Sequence, residues 1–595
     1  MKFPADFIWG ASTSSYQIEG AWNDDGKGPS VWDIFVRQPG RIWEGNHGNV
    51  SGDHYHRYKD DVELMKEIGL KAYRFSVSWP RVLPQGAGSI NRQGLDFYDR
   101  LVDELLAKEI DPWVTLFHWD FPHALFLRGG WLNPDSPKWF EAYTKVIVDR
   151  LSDRVGTWMT VNEPQCFIGL GLLSGEHAPG LKLDLRDALL AGHHCLLAHG
   201  RAVQVIRSRA RSKPTVGWSP AGFSCFPATE SAENIEAARQ ATLNVFPGSV
   251  WNNRWWGDAA LLGHYPEEGY KAYGTSVPAF KASDFAIIHQ PIDFYGCNLY
   301  SGLSTIAAAD GSPIHPPPPP GYPQTFAMWK KTPECLYWGP RFLSEHYKLP
   351  IVVTENGMSG NDWVSADGRA HDPARIDFMN SYLLQLRRAV QDGVDVRGYF
   401  AWSLFDNFEW QDGYKHRYGL IHIDYETLQR TLKDSSIWYR DVIHSQGGTL
   451  EDTASSVTET MPYIVKGTVR YTHTHIGTPF LVKDIATHLR CHPDFLSRKF
   501  KQHMGIDLGN YIRKARIDRA KELLQHPGTR ISEAAERSGF VDPVNFSKVF
   551  RRTTGQTPSE FKQQFSKKQD GTTPLSIKPE NPRSPRAHAW PVKES

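Results

Sequence analysis

The sequence has few cysteines for its length, and none of them lies in a paired spacing. Its 595 residues include six cysteines, and no two form a Cys-x-x-Cys motif. This scatter argues against a disulfide framework or a zinc site, and it is typical of free thiols in a reducing compartment. No run reaches the roughly 18 apolar residues that cross a membrane, and the first residues lack the apolar core of a signal peptide. We therefore expect a soluble, cytoplasmic protein with no membrane partner.

The sequence also lacks an overall excess of charge of one sign, but its two ends differ. Lys plus Arg total 67, and Asp plus Glu total 66. Basic residues outnumber acidic ones between 478 and 565, whereas the residues before 478 are acidic in sum. A local basic excess favours either a polyanion partner for that part of the chain or a solvated helix face, and charge alone does not separate the two.

Tryptophan is almost absent from the C-terminal part of the chain. Of 21 tryptophans, only Trp590 follows residue 440. Aromatic faces are typical of sugar-binding sites, so a carbohydrate site is expected in the first 440 residues. There, short β-branched runs alternate with helical segments such as 93–108 and 137–151, which favours a parallel (β/α)₈ TIM barrel. The predicted strands are 72–77, 112–117, 157–161, 293–296, 351–354 and 396–401. A doubly wound sheet is the alternative, although no glycine-rich phosphate loop follows any strand.

Two glutamates come directly after predicted strands. Glu163 follows the strand at 157–161, and Glu355 follows the strand at 351–354. The carboxyl ends of barrel strands are where active sites are built, so the two side chains can meet across the barrel mouth. Two carboxylates that flank a glycosidic bond supply either an acid/base and a nucleophile or an acid and a base. A structural ion-pair role for each glutamate is the alternative interpretation.

The sequence around both glutamates resembles glycoside hydrolase family 1. Segments 160–164 (Thr-Val-Asn-Glu-Pro) and 354–357 (Thr-Glu-Asn-Gly) are similar to the two catalytic signatures of that family. Segments 7–20, 73–81, 118–120 and 402–410 also match, in the family's order, between about residues 3 and 443. The resemblance implies a retaining β-glycosidase, with Glu163 as the general acid/base and Glu355 as the nucleophile supported by Arg74 and Tyr300.

The resemblance also implies a set of substrate-binding residues. In this set Trp402 is the apolar floor beneath the sugar ring, Trp329 is the platform of the aglycone site, and Asn298 reaches the 2-hydroxyl or the acid/base. The full set is Gln17, His118, Asn162, Asn298, Tyr300, Trp329, Trp402, Glu409 and Trp410. Glu409 with Trp410 predicts an unphosphorylated glycone, because a carboxylate would repel a 6-phosphate.

The implied substrates are β-glucosides such as cellobiose and other short β-linked oligosaccharides. The sequence does not separate glucose from galactose or fucose. Three departures from the family pattern, His123, Leu299 and Lys330, are expected to line or border the outer pocket and so to affect aglycone preference. No cofactor and no metal is expected, and the histidines that could suggest a metal are interpreted as structural; they are His54, His56, His193 and His194.

The barrel is predicted to span residues 1–447, and three parts are predicted to follow it. They are a Gly-, Ser- and Thr-rich linker at 448–477, a helical domain at 478–565 and a proline-rich disordered tail at 566–595. Two similar apolar patterns within 478–565 flank a basic helix at about 508–525, and Gly539 and Asp542-Pro543 are typical of a turn and a helix start. This arrangement favours two helix-turn-helix units on a connector. A small helical bundle for protein contacts is the alternative.

Residues 478–565 resemble the DNA-binding domain of AraC/XylS transcription regulators. The most similar stretches are 532–552 and 557–561. The resemblance implies DNA as a partner, with contacts from Arg498, Lys499, Asn545, Lys548 and Arg551.

Three hypotheses for the whole chain follow. The first is an enzyme with a DNA-binding appendage, the second is a transcription regulator whose barrel senses sugars, and the third is an enzyme with an inert appendage. Because both glutamates are present, we favour the first.

Overall fold

The computed structural model describes residues 2–450, 463–489, 491–526 and 528–566. The chain divides into two compact units, Met1–Glu451 and Asp452–Ser595. The predicted disordered tail beyond Ser566 lies outside the described residues, as do residues 451–462 of the predicted linker.

The first unit is a closed barrel of eight parallel strands, as predicted. The strands are β1 Ile8–Ser12, β2 Ala72–Ser76, β3 Asp111–Phe117, β4 Thr157–Asn162, β5 Thr215–Ser219, β6 Phe294–Asn298, β7 Ile351–Asn356 and β8 Val396–Trp402. Closure comes from the pairing of β1 with β8, in which Ile8 lies opposite Gly398 and Ser12 opposite Trp402. Six strands were predicted, and β1 and β5 were not, because Gly and Ser interrupt their short apolar runs.

Helices surround the strands, and smaller sheets lie in the loops. The longer helices of this unit are His54–Ile68, Arg92–Ala107, Ser136–Leu151, Leu185–Arg209, Ala232–Thr242, Arg254–Leu261, Cys335–Tyr347, Pro373–Gln391 and Asp434–Ser445. A three-stranded sheet consists of Cys225–Pro227, Leu303–Ala307 and Pro313–Ile314. Ile421–Ile423 and Arg430–Leu432 form a two-stranded sheet.

Aromatic rings fill the inside of the barrel below the candidate site. The ring centroid of Trp113 lies 5.6 Å from that of Phe294 and 4.8 Å from that of Phe400. Gly10 and Gly217 leave room for these rings, because a Cβ at either position would lie 2.4 Å from Phe400 or Phe294 respectively. The interior of the barrel beneath the candidate site is therefore a packed core and not an open pore.

The described residues of the second unit form seven helices around two small cores. The helices are α1 Tyr463–Thr474, α2 Val482–His488, α3 Pro493–Met504, α4 Leu508–Leu524, α5 Ile531–Glu536, α6 Pro543–Thr554 and α7 Pro558–Ser566. Helix α4 connects the cores, because Leu508 and Ile512 belong to the first and Ile517 and Leu524 to the second. This confirms two helix-turn-helix units on a connector.

The prediction that 448–477 is a linker is wrong in part. Helix α1 lies within 448–477, and its Val465 is fully buried in the first core. The helix was missed because it contains Gly467, several threonines and β-branched residues, all of which have low helix propensity. Packing against α3 stabilises it instead. At the turn before α6, Gly539 has a φ of +75°, and the Asp542 side chain accepts a hydrogen bond from the Val544 backbone, as predicted.

Candidate active site

A cavity of about 560 Å³ opens at the carboxyl ends of the barrel strands. Glu163 and Glu355 both line it, so the barrel brings together two residues that are far apart in the sequence. The predicted substrate-binding residues that also line the cavity are His118, Asn298, Tyr300, Trp329, Trp402, Glu409 and Trp410.

Glu355 lies in β7 and is held from two sides. Arg74 Nη1, on β2, donates to Glu355 Oε1 at 2.5 Å, and the Tyr300 hydroxyl donates to Oε2 at 2.7 Å. Burial raises the pKa of Glu355, whereas the Arg74 charge and the Tyr300 hydrogen bond act to lower it. These two donors therefore stabilise the ionised carboxylate and fix both of its oxygens.

Glu163 follows β4 in a left-handed conformation with φ of +44°, at the start of the short helix Pro164–Ile168. Asn298 Nδ2 donates to its Oε1 at 2.9 Å, and the Cys166 thiol donates to its Oε2 at 3.1 Å. Burial and the nearby Glu355 charge raise the pKa of Glu163 to about 7. Arg74 pairs directly with Glu355 but acts on Glu163 only as a nearby charge, so burial and the Glu355 charge outweigh it at Glu163.

Asn162 connects the two carboxyl environments from behind the cavity. Its Oδ1 accepts from Arg74 Nη2 at 2.6 Å and from Asn298 Nδ2 at 3.1 Å. Its Nδ2 lies 3.0 Å from His118 Nε2. Asn162 and Arg74 lie behind the cavity lining and contact residues that belong to it.

Glu409 and Trp410 form one wall of the cavity. Gln17 Nε2 donates to Glu409 Oε2 at 3.3 Å, and Gln17 does not itself line the cavity. Burial raises the pKa of Glu409 well above its usual range, and the nearby carboxylates of Asp412, Glu355 and Glu163 raise it further. Trp410 packs between aromatic rings, with the centroids of Trp32 and Trp119 each 4.6 Å away.

Trp402 and Trp329 lie at different depths of the cavity. The Trp402 side chain is buried and stacks on His118, with ring centroids 5.8 Å apart. Trp329 is 42% exposed, and its ring centroid lies 5.2 Å from that of Tyr300. The pair thus provides an inner apolar surface and an outer one.

The three departures from the family pattern do not line the cavity. Leu299 is fully buried, and its backbone oxygen accepts a hydrogen bond from Asn356. The Lys330 ammonium donates to Gln324, outside the cavity lining, and His123 also lies away from it. Leu299 therefore faces the protein interior and not the pocket, and neither Lys330 nor His123 belongs to the lining.

Two further residues of the site were missed from the sequence. Cys166 contacts Glu163, and Thr354 Oγ1 donates to Asn298 Oδ1 at 2.7 Å, which orients the Asn298 amide toward Glu163. The available signal was position alone: Cys166 is one helical turn after Glu163, and Thr354 directly precedes Glu355. The Thr354 contact depends on barrel closure, because it joins two neighbouring strands.

The histidines considered as metal ligands have other contacts. His54 Nδ1 lies 2.8 Å from Asp61, His193 Nδ1 lies 2.9 Å from the Tyr265 hydroxyl, and His194 Nδ1 lies 2.7 Å from the Trp131 carbonyl oxygen. Within the described ranges, no group of three or more His, Cys, Asp or Glu could hold a metal ion. Nor does any described helix have the length and apolarity to cross a membrane.

The candidate DNA contacts lie on α3 and α6 of the second unit. Arg498, Asn545, Lys548 and Arg551 are exposed, and Lys499 is half-buried with its ammonium 3.3 Å from Gln502. The two helices are the second helices of the two helix-turn-helix units, the position of the recognition helix in that motif.

Comparison with known proteins identifies both units. The model of glycosyl hydrolase family 1 matches residues 1–448, which is most of the chain. The chain belongs to glycosyl hydrolase family 1. A helix-turn-helix domain model matches residues 485–564, in agreement with the AraC/XylS resemblance.

Similar proteins cover the barrel almost completely. β-Glucosidase A of Acetivibrio thermocellus is 44% identical over 456 residues, which are 75% of this chain and 99% of the relative. β-Glucosidase A of Thermotoga maritima is 42% identical over 454 residues, with 76% and 99% covered. The solved structure of a Thermotoga maritima β-glucosidase in complex with glucoimidazole has a TM-score of 0.69 at 41% identity and covers 75% of this chain and 99% of its own.

Proposed function

We propose that the barrel is a retaining β-glucosidase that hydrolyses the non-reducing-end β-glycosidic bond of unphosphorylated glycosides through a covalent glycosyl-enzyme. The observation that carries this proposal is the unequal environment of the two carboxyls in one cavity. Glu355 has Arg74 as a cationic partner, whereas the pKa of Glu163 is raised to about 7. Two carboxyls whose environments differ in this way can divide the nucleophile and acid roles. β-Glucosidase relatives at 42–44% identity support the substrate class.

In the first step, Glu355 attacks the anomeric carbon while Glu163 protonates the leaving oxygen. Arg74 and Tyr300 orient the Glu355 carboxylate, and Asn298 holds the carboxyl of Glu163. The bond from the anomeric carbon to the leaving oxygen breaks as the glycosyl-enzyme ester forms, and the proton leaves with the aglycone.

In the second step, the ionised Glu163 takes a proton from water, which attacks the anomeric carbon and releases Glu355. Ester formation removes the negative charge of Glu355, and that charge is one of the two main causes of the raised pKa of Glu163. The pKa of Glu163 therefore falls in the intermediate, which makes the residue a base when a base is needed.

The glycone site is proposed to include Gln17, His118, Asn162, Trp402, Glu409 and Trp410. A 6-phosphate would need cationic or multiple donor groups, and Glu409 offers at most one proton in either ionisation state. Sugar hydroxyls are better partners, because a carboxyl can accept from two of them. The same polar set suits β-glucosides, β-galactosides and β-fucosides.

The second unit is proposed to bind DNA through Arg498, Lys499, Asn545, Lys548 and Arg551, with 478–565 as the DNA-binding domain and helix α1 packed onto its first core. Its helix-turn-helix match and the exposed basic side chains on α3 and α6 support this. The same observations favour a second candidate function, a transcription regulator whose barrel is the sugar-sensing effector domain.

Release of p-nitrophenol from its β-glucoside, β-galactoside and β-fucoside separates the two functions. The proposal expects steady turnover of at least the β-glucoside. Undetectable turnover of all three, together with a rise in melting temperature when sugars are added, would favour the sensor instead.

A further inference from the structure

Helix α6 of the second unit presents a mixed apolar and basic face to solvent. Phe546 and Phe550 are buried in the second core. Val544, Lys548 and Arg551 are exposed. An α-helix turns by about 100° per residue, so these three exposed side chains lie on the face opposite the two phenylalanines.

Helix α3 of the first helix-turn-helix unit has the same arrangement with one difference. Leu496 and Phe500 are buried in its core, and the same spacing places Asp494, Arg498 and Lys501 on the opposite, exposed face. The second and third positions of this face are basic in both helices. The first position is a carboxylate in α3, with 94% of its side chain exposed, and a valine in α6.

Core packing does not account for the valine. Val544 is 62% exposed and lies outside both described cores. Val541, two residues before α6 begins, is 80% exposed. An apolar end followed on the same helix face by two cations fits a partner that is anionic and also offers an apolar group.

DNA is a partner of that kind. The N-terminal residues of a recognition helix contact base edges in the major groove, and Val544 is the second residue of α6. The apolar group that a base edge offers there is the 5-methyl group of thymine. Lys548 and Arg551 follow on the same face and complement the charge of the phosphates.

We infer that Val544 reads a thymine through its 5-methyl group, and that the first unit, with Asp494 at the corresponding position, does not. This inference rests on the proposed DNA binding and specifies a base that the second unit reads. A carboxylate accepts a hydrogen bond from the amino group of cytosine and gains nothing from a methyl group. The two half-sites on DNA therefore differ in sequence, and at this position only the half-site of α6 depends on a methyl group.

The test uses the full chain and begins with selection from duplexes that contain about 30 random base pairs, enough for two half-sites one helical turn apart. In a selected duplex, each thymine is then replaced in turn by deoxyuridine, which removes only the 5-methyl group. Burial of one methyl group corresponds to about 4-fold in affinity. We therefore expect a thymine at which this replacement weakens binding by about 4-fold, measured by fluorescence anisotropy at fixed salt.

The variant Val544→Ala should weaken binding of the thymine duplex by about 4-fold, and its further response to deoxyuridine at that thymine should fall below about 2-fold. A loss limited to this size also shows that α6 is folded. The matched control is Leu481→Ala, which shortens a 61% exposed residue at the N-cap of α2. The control should keep the full response to deoxyuridine.

A selected duplex that binds equally well after every thymine replacement would overturn the inference and leave the proposed DNA binding intact. A methyl effect that is unchanged in Val544→Ala would also overturn it, because another side chain would then read the methyl group. Selected duplexes that bind no better than the starting pool would instead contradict sequence-specific DNA binding by the second unit.

Discussion

The two units carry their candidate functional groups in opposite environments. In the barrel, Arg74, Glu163 and Glu355 are buried, and each has hydrogen bonds to other site residues. On α3 and α6 of the second unit, Arg498 and Lys548 are exposed to solvent. The barrel is acidic in sum and buries its candidate charged groups, whereas the helical unit is basic and exposes them.

This difference follows from what each group must do. The proposed acid Glu163 needs a desolvated setting, because burial is the main cause of its raised pKa. A cation that binds a phosphate backbone must remain accessible, and its energy comes from counterion release at the moment of binding. Substitutions in the barrel should therefore cost orders of magnitude in rate, whereas those in the second unit should act modestly and leave hydrolysis unchanged.

The largest expected effect is the loss of the proposed nucleophile. Glu355→Ala should lower kcat for p-nitrophenyl β-glucoside by about 10⁵-fold or more, the scale seen when a covalent nucleophile is removed. Stopped assays with high enzyme concentration measure the residual rate. DNA binding by the same variant should equal that of wild type, and a parallel loss of both would break the separation between the units.

Loss of the Glu409 carboxyl should rank next. Glu409→Ala should reduce kcat/KM for β-glucosides by about 10³-fold, because two hydrogen bonds to a buried carboxyl are lost, each typically about 1.5–3 kcal/mol. Steady-state kinetics on p-nitrophenyl β-glucoside measure this. A variant that retained wild-type kcat/KM would show that Glu409 does not hold the glycone.

In the second unit, Asn545→Ala and Arg551→Ala should each weaken binding of a selected DNA site by about 10-fold or more, since a good base contact provides about 1–3 kcal/mol. Fluorescence anisotropy at fixed salt measures the affinity, and glucoside hydrolysis should not change. Arg519→Ala on α4, whose guanidinium pairs with Glu522, is the matched control. Equal and weak binding to all sequences, unaffected by either substitution, would favour an inert appendage.

The smallest expected effect concerns pH. Glu163 must be protonated to act as the acid, so kcat/KM should fall as the pH rises through its pKa of about 7. The Cys166 thiol acts to lower that pKa, so Cys166→Ala should move the basic limb to higher pH. Cys195→Ala, at another buried cysteine, should leave the profile unchanged. A limb that does not move in Cys166→Ala would show that the thiol has no effect on the acid.

The position of a residue was easiest to predict from the sequence where a strand leads directly to it. Glu163 and Glu355 follow apolar runs, and a barrel places such positions around one opening. Contacts across the barrel were harder to predict, because they depend on register. The hydrogen bond from Asn298 to Glu163 joins segments whose relation appears only after closure. The Cys166 contact is local, and Leu299 is buried although both of its sequence neighbours line the cavity.

Local sequence signals predicted the helices and turns of the second unit, except for one helix whose local signals are weak. Gly539 and Asp542 gave the turn and the helix start correctly. Helix α1 has poor intrinsic propensity and is stabilised by tertiary contacts, which no local pattern in 448–477 indicated.

The most direct test of the central assignment is azide rescue of the two alanine variants at the active-site glutamates. Azide fits the space left by a carboxylate and acts as a nucleophile. With an activated aryl β-glucoside, Glu163→Ala should regain turnover and yield the β-glucosyl azide, because azide attacks the glycosyl-enzyme. Glu355→Ala should yield the α-glucosyl azide, because azide replaces the nucleophile in a single displacement. The opposite stereochemistry in the two variants, or no rescue of either, would contradict the roles assigned here to Glu163 and Glu355.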